Sequence, residues 1–463
     1  MNYLKYSLAI ISLIIGTAAC NKDLNVQPQN NITSSNIKTS SDVEAVLFGA
    51  YSGLQAPGCF GESFIFCPDL IASDSMVDFV GTFYNYLAVQ QKIQVATNGM
   101  TAGIWVASYN TVNIANTVLD KISLVDSADQ PTVQGEAYFI RGTVFFYLTG
   151  IFAKPYSDGN AATNLGIPLV LKPTYTYDSS ATGPDKPSRA TVAASYAQVV
   201  SDLQTAISLL PTTNVNFRAD VYSAHAMLSR VYLSMGDYAD AATQADTVIE
   251  SGNFSLASTY DKTFNTDGNS TEDLFAIQQS LQSNAGTSNG GIVTFYLPYT
   301  ANGQQVGGRG DAQVDALYSN DFEPADFRIN FMTNGTGISG ASGVYPNKWG
   351  AFYKTIPVIR LAEMYLTRGE GNLLAGTSVG DIPLNDINAV RSRSGASILA
   401  TVGQTDFIEE RFRELGFEGD RMWSEKRMRW SISGLSFDDP KLVMPVPQTD
   451  IDANQNLKQN DGY

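Results

Sequence analysis

The sequence predicts a mainly α-helical protein, a scaffold of paired helices interrupted by one loop-rich, short-stranded insert that forms a ligand face. Three observations carry this prediction. Apolar residues recur at helical spacing along most of the chain. One stretch holds two such helices around a glycine turn, and residues 253–350 change to a Gly-, Asn-, Ser- and Thr-rich composition. The chain has 463 residues, 44% of them hydrophobic, which is enough for a core that divides into lobes.

The first element is an export signal. Lys5 precedes the apolar run Leu8 to Ile15, and the small residues Thr17-Ala18-Ala19 lead directly to Cys20. The run is too short to span a bilayer and reads as a signal peptide, residues 1–19. A cysteine at the first mature position marks a bacterial lipoprotein, with Cys20 acylated on its sulfur and its amine; several acyl chains bind a membrane far more firmly than one. Residues 20–40 are polar and read as the lipidated N-terminus and a flexible tether, with a reach of about 20–25 Å as coil. Residues 41–463 then form one helical domain, with the insert at about 253–350.

Ser41-Asp42-Val43-Glu44 resembles a capping box and opens a helix carrying Val43, Val46, Leu47, Ala50, Tyr51 and Leu54, stopped by Pro57-Gly58. Residues 59–100 read as irregular. Trp105, Tyr109, Val112, Ala115, Leu119 and Ile122 make the next stripe, and Glu136 to Phe152 is apolar on nearly every face, the pattern of a helix buried all round. Gly166 to Leu171 reads as extended. A helix beginning near Ser188 carries Tyr196, Val199, Leu203 and Ile207 and ends at Pro211. Met235-Gly236-Asp237-Tyr238 then joins two helices lined with alanines, the packing logic of tetratricopeptide-type pairs. Leu274 to Ile277 reads as a strand. Helices return at about 359–374, 384–393, 406–415 and 420–430, and the chain closes with a polar tail from Gln448.

Composition narrows the chemistry. A formal charge of −16 repels phosphate backbones and anionic lipid, so nucleic acid is excluded as a partner and the acyl anchor is left as the membrane attachment. The one histidine, His225, sits in a small-residue helical stretch and reads as a packed side chain. Histidine-based triads and proton shuttles therefore lack material. Cys59 and Cys67 could form a short-loop disulfide worth about 2–3 kcal/mol. No histidine stands beside them at ligand spacing, so no metal site is expected.

Ligand-binding residues are sought among loop aromatics flanked by amides. A sugar ring offers a C–H face that stacks on an aromatic π face, while amides and guanidinium groups bond its hydroxyls. Phe83-Tyr84-Asn85-Tyr86 meets both needs, and Tyr296, Tyr299, Asn302 and Arg309 form a second candidate group. Trp105 and Trp349 read as core residues, and Arg309-Gly310-Asp311 as a chance tripeptide in a glycine-rich loop. The glycines of 303–310 lack the Lys-Ser/Thr of a phosphate-binding loop.

The C-terminal third is the most specific part. Arg360-Leu361-Ala362-Glu363-Met364-Tyr365-Leu366 is followed by Asn385 to Arg393, then by Glu410-Arg411-Phe412-Arg413-Glu414-Leu415-Gly416-Phe417-Glu418-Gly419-Asp420-Arg421, and the chain closes with Met444-Pro445-Val446-Pro447 and Asn454 to Tyr463. With Cys20, the helix from Trp105 to Asn116 and the Gly236-Asp237-Tyr238 turn, this series resembles the SusD/RagB family of surface nutrient-binding lipoproteins over nearly all of the mature chain. The charged residues themselves read as structural, with Arg411 paired to Glu414 and Glu418 to Arg421 at helical spacing.

The resemblance implies a non-catalytic, cofactor-free receptor on the outer membrane, placed lid-like over a SusC-like TonB-dependent transporter. It would capture an oligosaccharide, or a peptide, and deliver it to the barrel. Residues alone leave two other functions open. One is a surface glycosidase with two carboxylates about 5–10 Å apart; the other is a tetratricopeptide-type assembly scaffold.

Overall fold

A computed structural model describes residues 34–175, 186–213, 215 and 217–463. Residues 1–19 (read above as a signal peptide), Cys20 and most of the stretch read as a tether lie outside the described residues. Helix α1 (Ser40–Gln55) is capped two residues earlier than the sequence suggested. The Thr39 hydroxyl accepts the Asp42 amide at 3.2 Å, and the Asp42 carboxylate accepts the amides of Lys38 and Thr39, each at 2.9 Å.

The stretch read as irregular holds three elements: α2 (Ser63–Ile71), β1 (Val77–Phe79) and α3 (Tyr84–Gln90). Every residue of α2 is buried, so it has no polar face and leaves no periodic stripe to detect. Helices α4 (Gly99–Asp120), α5 (Gln130–Phe152), α6 (Val192–Leu209), α7 (Val221–Met235) and α8 (Tyr238–Glu250) follow. Residues Phe139 to Phe152 of α5 are all buried, as their unbroken apolar character requires. Gly150 of α5 is needed for a different reason: a Cβ there would occupy the indole of Trp423. Residues 166–171 join no sheet, and only the neighbouring Leu165 forms an isolated bridge, with Thr191.

The insert contains β2 (Asp273–Ile277), α9 (Ile292–Tyr296), β3 (Thr300–Ala301), β4 (Gln304–Gln305), β5 (Ala312–Val314), α10 (Ala316–Ser319), β6 (Met332–Thr336) and β7 (Ser342–Pro346). Beyond it come β8 (Ile356–Arg360), α11 (Leu361–Ala375), α12 (Pro383–Arg393), α13 (Gln404–Leu415), α14 (Asp420–Met428) and α15 (Gln448–Ala453). The helix expected from 359 is thus preceded by a strand. All pairings are antiparallel: β1 with β5, β2 with β8, and a small sheet ordered β4-β3-β6-β7.

Helices dominate and pack as successive neighbours: α4 on α5, α5 on α6, α6 on α7, α7 on α8, with α11 closing against α8. The α7–α8 pair turns at Gly236, whose φ of 84° favours a residue without a side chain. A mainly α fold of tetratricopeptide-like pairs with a short-stranded insert is therefore what the chain adopts. Among the described residues, no helix is long and apolar enough to cross a membrane.

The charged C-terminal motifs are structural, but their partners differ from those expected. Glu414 reaches Arg328 at 3.1 Å and Arg360 at 3.1 Å, and also pairs with Arg393. Arg411 pairs with Asp420 and donates to the Thr367 hydroxyl at 3.1 Å. Glu418 binds Arg360 at 2.8 Å, while Arg421 binds Glu425 at 2.8 Å. The reason is local geometry. Helix α13 stops at Leu415 and Phe417 adopts φ 65°, so Glu418 and Arg421 do not share a helix face. Burial forces each ion toward several partners instead of its neighbour in sequence.

Trp105 and Trp349 are core residues, donating to Asp450 Oδ1 and to the Phe417 carbonyl, both at 3.0 Å. His225 shares a 2.7 Å hydrogen bond with Gln244. Cys59 and Cys67 are free, buried thiols, not a disulfide. Cys67 is held within α2, and the Cys59 thiol lies 4.0 Å from the Ser108 hydroxyl of α4.

Candidate functional site

Phe83-Tyr84-Asn85-Tyr86 forms the start of helix α3, not a loop or a strand. Spacing on the helix then separates the aromatics. Phe83 and Tyr86, three apart, share a face, and their rings lie 6.1 and 4.7 Å from that of Phe295 in α9. Tyr86 also packs on Phe66 and stacks on Phe79. Tyr84 points away and is 65% exposed. Asn98 fixes this short helix to the next one. Its side-chain oxygen accepts the amides of Met100 and Thr101 at 2.9 and 3.2 Å, capping α4, while its Nδ2 donates to the Asn85 carbonyl at 2.9 Å.

The second group of candidates disperses. Tyr296 is fully buried; its hydroxyl donates to Asp69 at 2.8 Å and its ring meets Phe417 edge-on. It is a core residue, because α9 is one short turn wedged under the insert with all five residues buried. Asn302 is exposed and, with Gly303, forms the turn between β3 and β4, at φ 51° and 76°. Tyr299 is half-buried where its backbone joins the edge of that sheet, its amide on Thr336 and its carbonyl on Val306. Only Arg309 reaches the first group. Its guanidinium lies 4.3 Å from the Phe83 ring centre and donates to Asp311 at 2.6 Å. The Arg-Gly-Asp tripeptide thus folds back on itself.

Phe83, Asn85 and Tyr86 line a cleft of about 770 Å³; Tyr84, Tyr296, Tyr299, Asn302 and Arg309 do not. Gly99, Met100 and Gly103 of α4 form one side, and Pro57, Gly58, Glu62 and Ser63 another. The remaining wall is the loop Ala285 to Gly290. Gly286 and Gly291 let this loop close, at φ 108° and 92°, with a Cβ on Gly291 falling 2.5 Å from the Gly286 carbonyl oxygen. At its tip, Thr287, Ser288 and Asn289 line the cleft, with Ser288 and Asn289 exposed.

Glu62 ties the walls together. One carboxylate oxygen accepts the Tyr86 hydroxyl at 2.7 Å and the Ser63 hydroxyl at 3.2 Å; the other accepts the Gly291 amide at 2.9 Å. Burial pushes its carboxyl up to about 7, against the pull of those hydrogen bonds. Burial, aided by the nearby Glu62 charge, raises the Tyr86 phenol well above its ordinary range. Among the described residues no group of three or more His, Cys, Asp or Glu side chains could hold a metal ion.

The sequence carried signals for the parts missed. Glu62 is the one charged residue between Glu44 and Asp69, so an acid placed in an otherwise uncharged run has to be satisfied inside the fold. Gly286-Thr287-Ser288-Asn289-Gly290-Gly291 is a polar tip between glycine hinges.

Two family models match the chain: one described as "starch-binding associating with outer membrane" over residues 24–233, and the SusD family over residues 294–433. The chain belongs to the SusD/RagB-like family. SusD-like protein P2 of Formosa agariphila is 25% identical over 99% of this chain and 100% of its own length. Starch-binding protein SusD of Bacteroides thetaiotaomicron is 31% identical over 34% of this chain and 29% of its own. Among solved structures, a SusD superfamily protein of Bacteroides thetaiotaomicron superposes with a TM-score of 0.80 at 25% identity, covering 91% of this chain and 99% of that one. Surface glycan-binding protein A of Bacteroides fluxus shares the fold, with a TM-score of 0.76 at 20% identity, over 92% of this chain and 100% of that one. The cleft loop Ala285–Gly290 falls between the two matched stretches, whereas Glu62, Phe83, Asn85 and Tyr86 lie inside the first.

Proposed function

We propose that this member of the SusD/RagB-like family is a non-catalytic, carbohydrate-binding protein of the outer membrane, anchored through acylated Cys20 and exposed at the cell surface. It holds an oligosaccharide in the cleft between α3, the start of α4 and the loop Ala285–Gly290, and passes it to a SusC-like TonB-dependent transporter. The observation that carries this reading is the pairing, in one cleft, of the rings of Phe83 and Tyr86 with the polar groups of Asn85, Thr287, Ser288 and Asn289. Rings supply the stacking surface, and amides and hydroxyls satisfy sugar hydroxyls without requiring charge. Glycoside hydrolysis needs two carboxyl groups flanking the bond. Among the described residues lining the cleft there is one, Glu62, and both its oxygens already accept protein hydrogen bonds.

The test is retardation on native gels containing polysaccharides, followed by calorimetry with oligosaccharides. Changing Asn85, Ser288 and Asn289 together to Ala is expected to weaken binding at least about tenfold, or about 1.4 kcal/mol, with thermal stability kept. Unchanged affinity would remove the cleft as the site. Product formation would remove the non-catalytic reading. Co-purification of a TonB-dependent barrel from the native membrane tests the partner.

A further inference from the structure

The cleft mixes apolar and polar lining, and its polar groups are almost all uncharged. None of the described residues lining it is Lys or Arg, and its one acid is Glu62. Carboxylated and sulfated sugars are ordinarily gripped by guanidinium forks or ammonium groups, or by the free amides of a helix N-terminus. The charged devices are absent from the described lining, and at the N-terminus of α4 only the Gly99 amide is left without an acceptor among the described residues. The nearby guanidinium of Arg309 is outside the lining, committed to Asp311 at 2.6 Å and laid on the Phe83 ring. The N-terminus of α4 does border the cleft, yet the Met100 and Thr101 amides are already taken by the neutral side chain of Asn98. The Gly291 amide is taken by Glu62 itself.

We infer that the cleft selects uncharged oligosaccharides and rejects those carrying carboxylate or sulfate groups, with Glu62 as the residue that sets the discrimination. This deepens, and rests on, the reading of the cleft as a carbohydrate site. A neutral ring meets hydroxyls and amides that bond it without a charge penalty. Above about pH 7, where Glu62 is ionised, an anionic ring meets a buried carboxylate at the cleft wall and no cation in the described lining, in a protein whose formal charge of −16 adds a longer-range repulsion.

The experiment compares neutral and acidic partners of like backbone on the full-length protein in detergent at about pH 8, where Glu62 is ionised. Fully methyl-esterified hexagalacturonate is set against hexagalacturonate, and a desulfated carrageenan hexasaccharide against its sulfated parent; galactose, glucose and xylose hexasaccharides complete the neutral set. At least one neutral sugar is expected to bind, and acidic sugars to bind at least about tenfold more weakly. The variant Ser288→Lys, on an exposed loop tip, is expected to narrow that gap by gaining affinity for the acidic sugars. Glu62→Gln is read as the ratio of neutral to acidic affinity, so that any change in general fit cancels, and that ratio is expected to fall. An acidic oligosaccharide bound as tightly as its neutral counterpart would overturn the inference while leaving the carbohydrate site in place. Retention of no sugar of either class, or of peptides alone, would overturn the carbohydrate reading and this inference with it.

Discussion

Glu62→Gln separates the charge of the cleft wall from its shape, and stability against pH is where the charge becomes measurable. Burial holds the Glu62 carboxyl at about 7 in the folded protein, compared with 4.5 ordinarily. Between those values the folded protein keeps a proton that the unfolded chain has released. The stabilisation is therefore fully present below pH 4.5 and is lost as pH rises through 7. At about 1.4 kcal/mol per tenfold change in proton affinity, this amounts to on the order of 3 kcal/mol. Glutamine binds no proton and shows no such dependence. Its amide oxygen can keep the Gly291 N–H while its N–H₂ donates to the Tyr86 and Ser63 hydroxyls, which then accept, and whatever cost the exchange carries does not vary with pH. The assay is urea unfolding of both proteins from about pH 4.5 to about pH 8, reading the difference between them. Other raised carboxyls, such as Asp69 and Asp273, are common to both proteins and cancel in the difference. That difference is expected to move by about 3 kcal/mol in favour of the native protein on acidification. A difference flat to within about 0.5 kcal/mol, the ordinary scatter of additivity, would refute the buried-carboxylate argument.

The aromatics of α3 are expected to part company: Tyr86→Ala, which removes contacts to Phe66, Phe79 and Phe295, should cost about 3–5 kcal/mol, whereas exposed Tyr84→Ala should stay within about 0.5 kcal/mol in thermal unfolding. A triple change of Phe83, Tyr84 and Tyr86 to Ala is thus expected to lower stability as well as binding. Glu414→Gln should destabilise by about 3–5 kcal/mol, since Arg328, Arg360 and Arg393 lose a shared counter-charge. Although burial alone would raise it, those arginines hold the Glu414 carboxyl at about 2, so its contribution persists above pH 4.5 and fades as pH falls toward 2; acid unfolding of the variant should lack that component. Burial pushes both the Cys59 and Cys67 thiols up to about 12, so neither should react with a thiol reagent until the protein is unfolded. Rapid labelling of the native protein would contradict their placement.

Most of the scaffold was legible because its helices each have one wet face. The stripes of α1, α4, α6, α7 and α8 follow from solvent on one side and core on the other. Legibility failed where that contrast vanished in a short element; most of α5 lacks a wet face too, but its length makes it readable. Helix α2 is buried on all sides, and α3 is too short for its apolar pair to register as a period. Spacing rules also misassigned the ion pairs around Glu414. They describe isolated helix surfaces, whereas buried charges from distant elements are paired by the requirement that none be left alone. Strand β8 shows a third limit, since its partner β2 lies far away in sequence and only tertiary pairing decides that the segment is extended.

For the site, the sequence indicated a kind of chemistry more reliably than a place. Aromatic-amide clusters pointed at Phe83, Asn85 and Tyr86, which do line the cleft, but gave the same weight to Tyr296, whose ring is equally aromatic and wholly buried. Composition cannot tell a stacking platform from a core ring, because both need the same surface. What distinguishes them here is the partner of the hydroxyl. The Tyr296 hydroxyl is spent on Asp69 deep in the core, while that of Tyr86 meets Glu62, whose other oxygen takes the Gly291 amide at the base of the polar loop. One carboxylate thereby couples the aromatic wall to the loop wall and also gives the cleft its charge. Truncation of Glu62 to Ala, which unlike Gln removes the joint itself, should for that reason alter ligand selection and loop closure together. Changes at Ser288, which tip the charge without touching that joint, should alter selection alone.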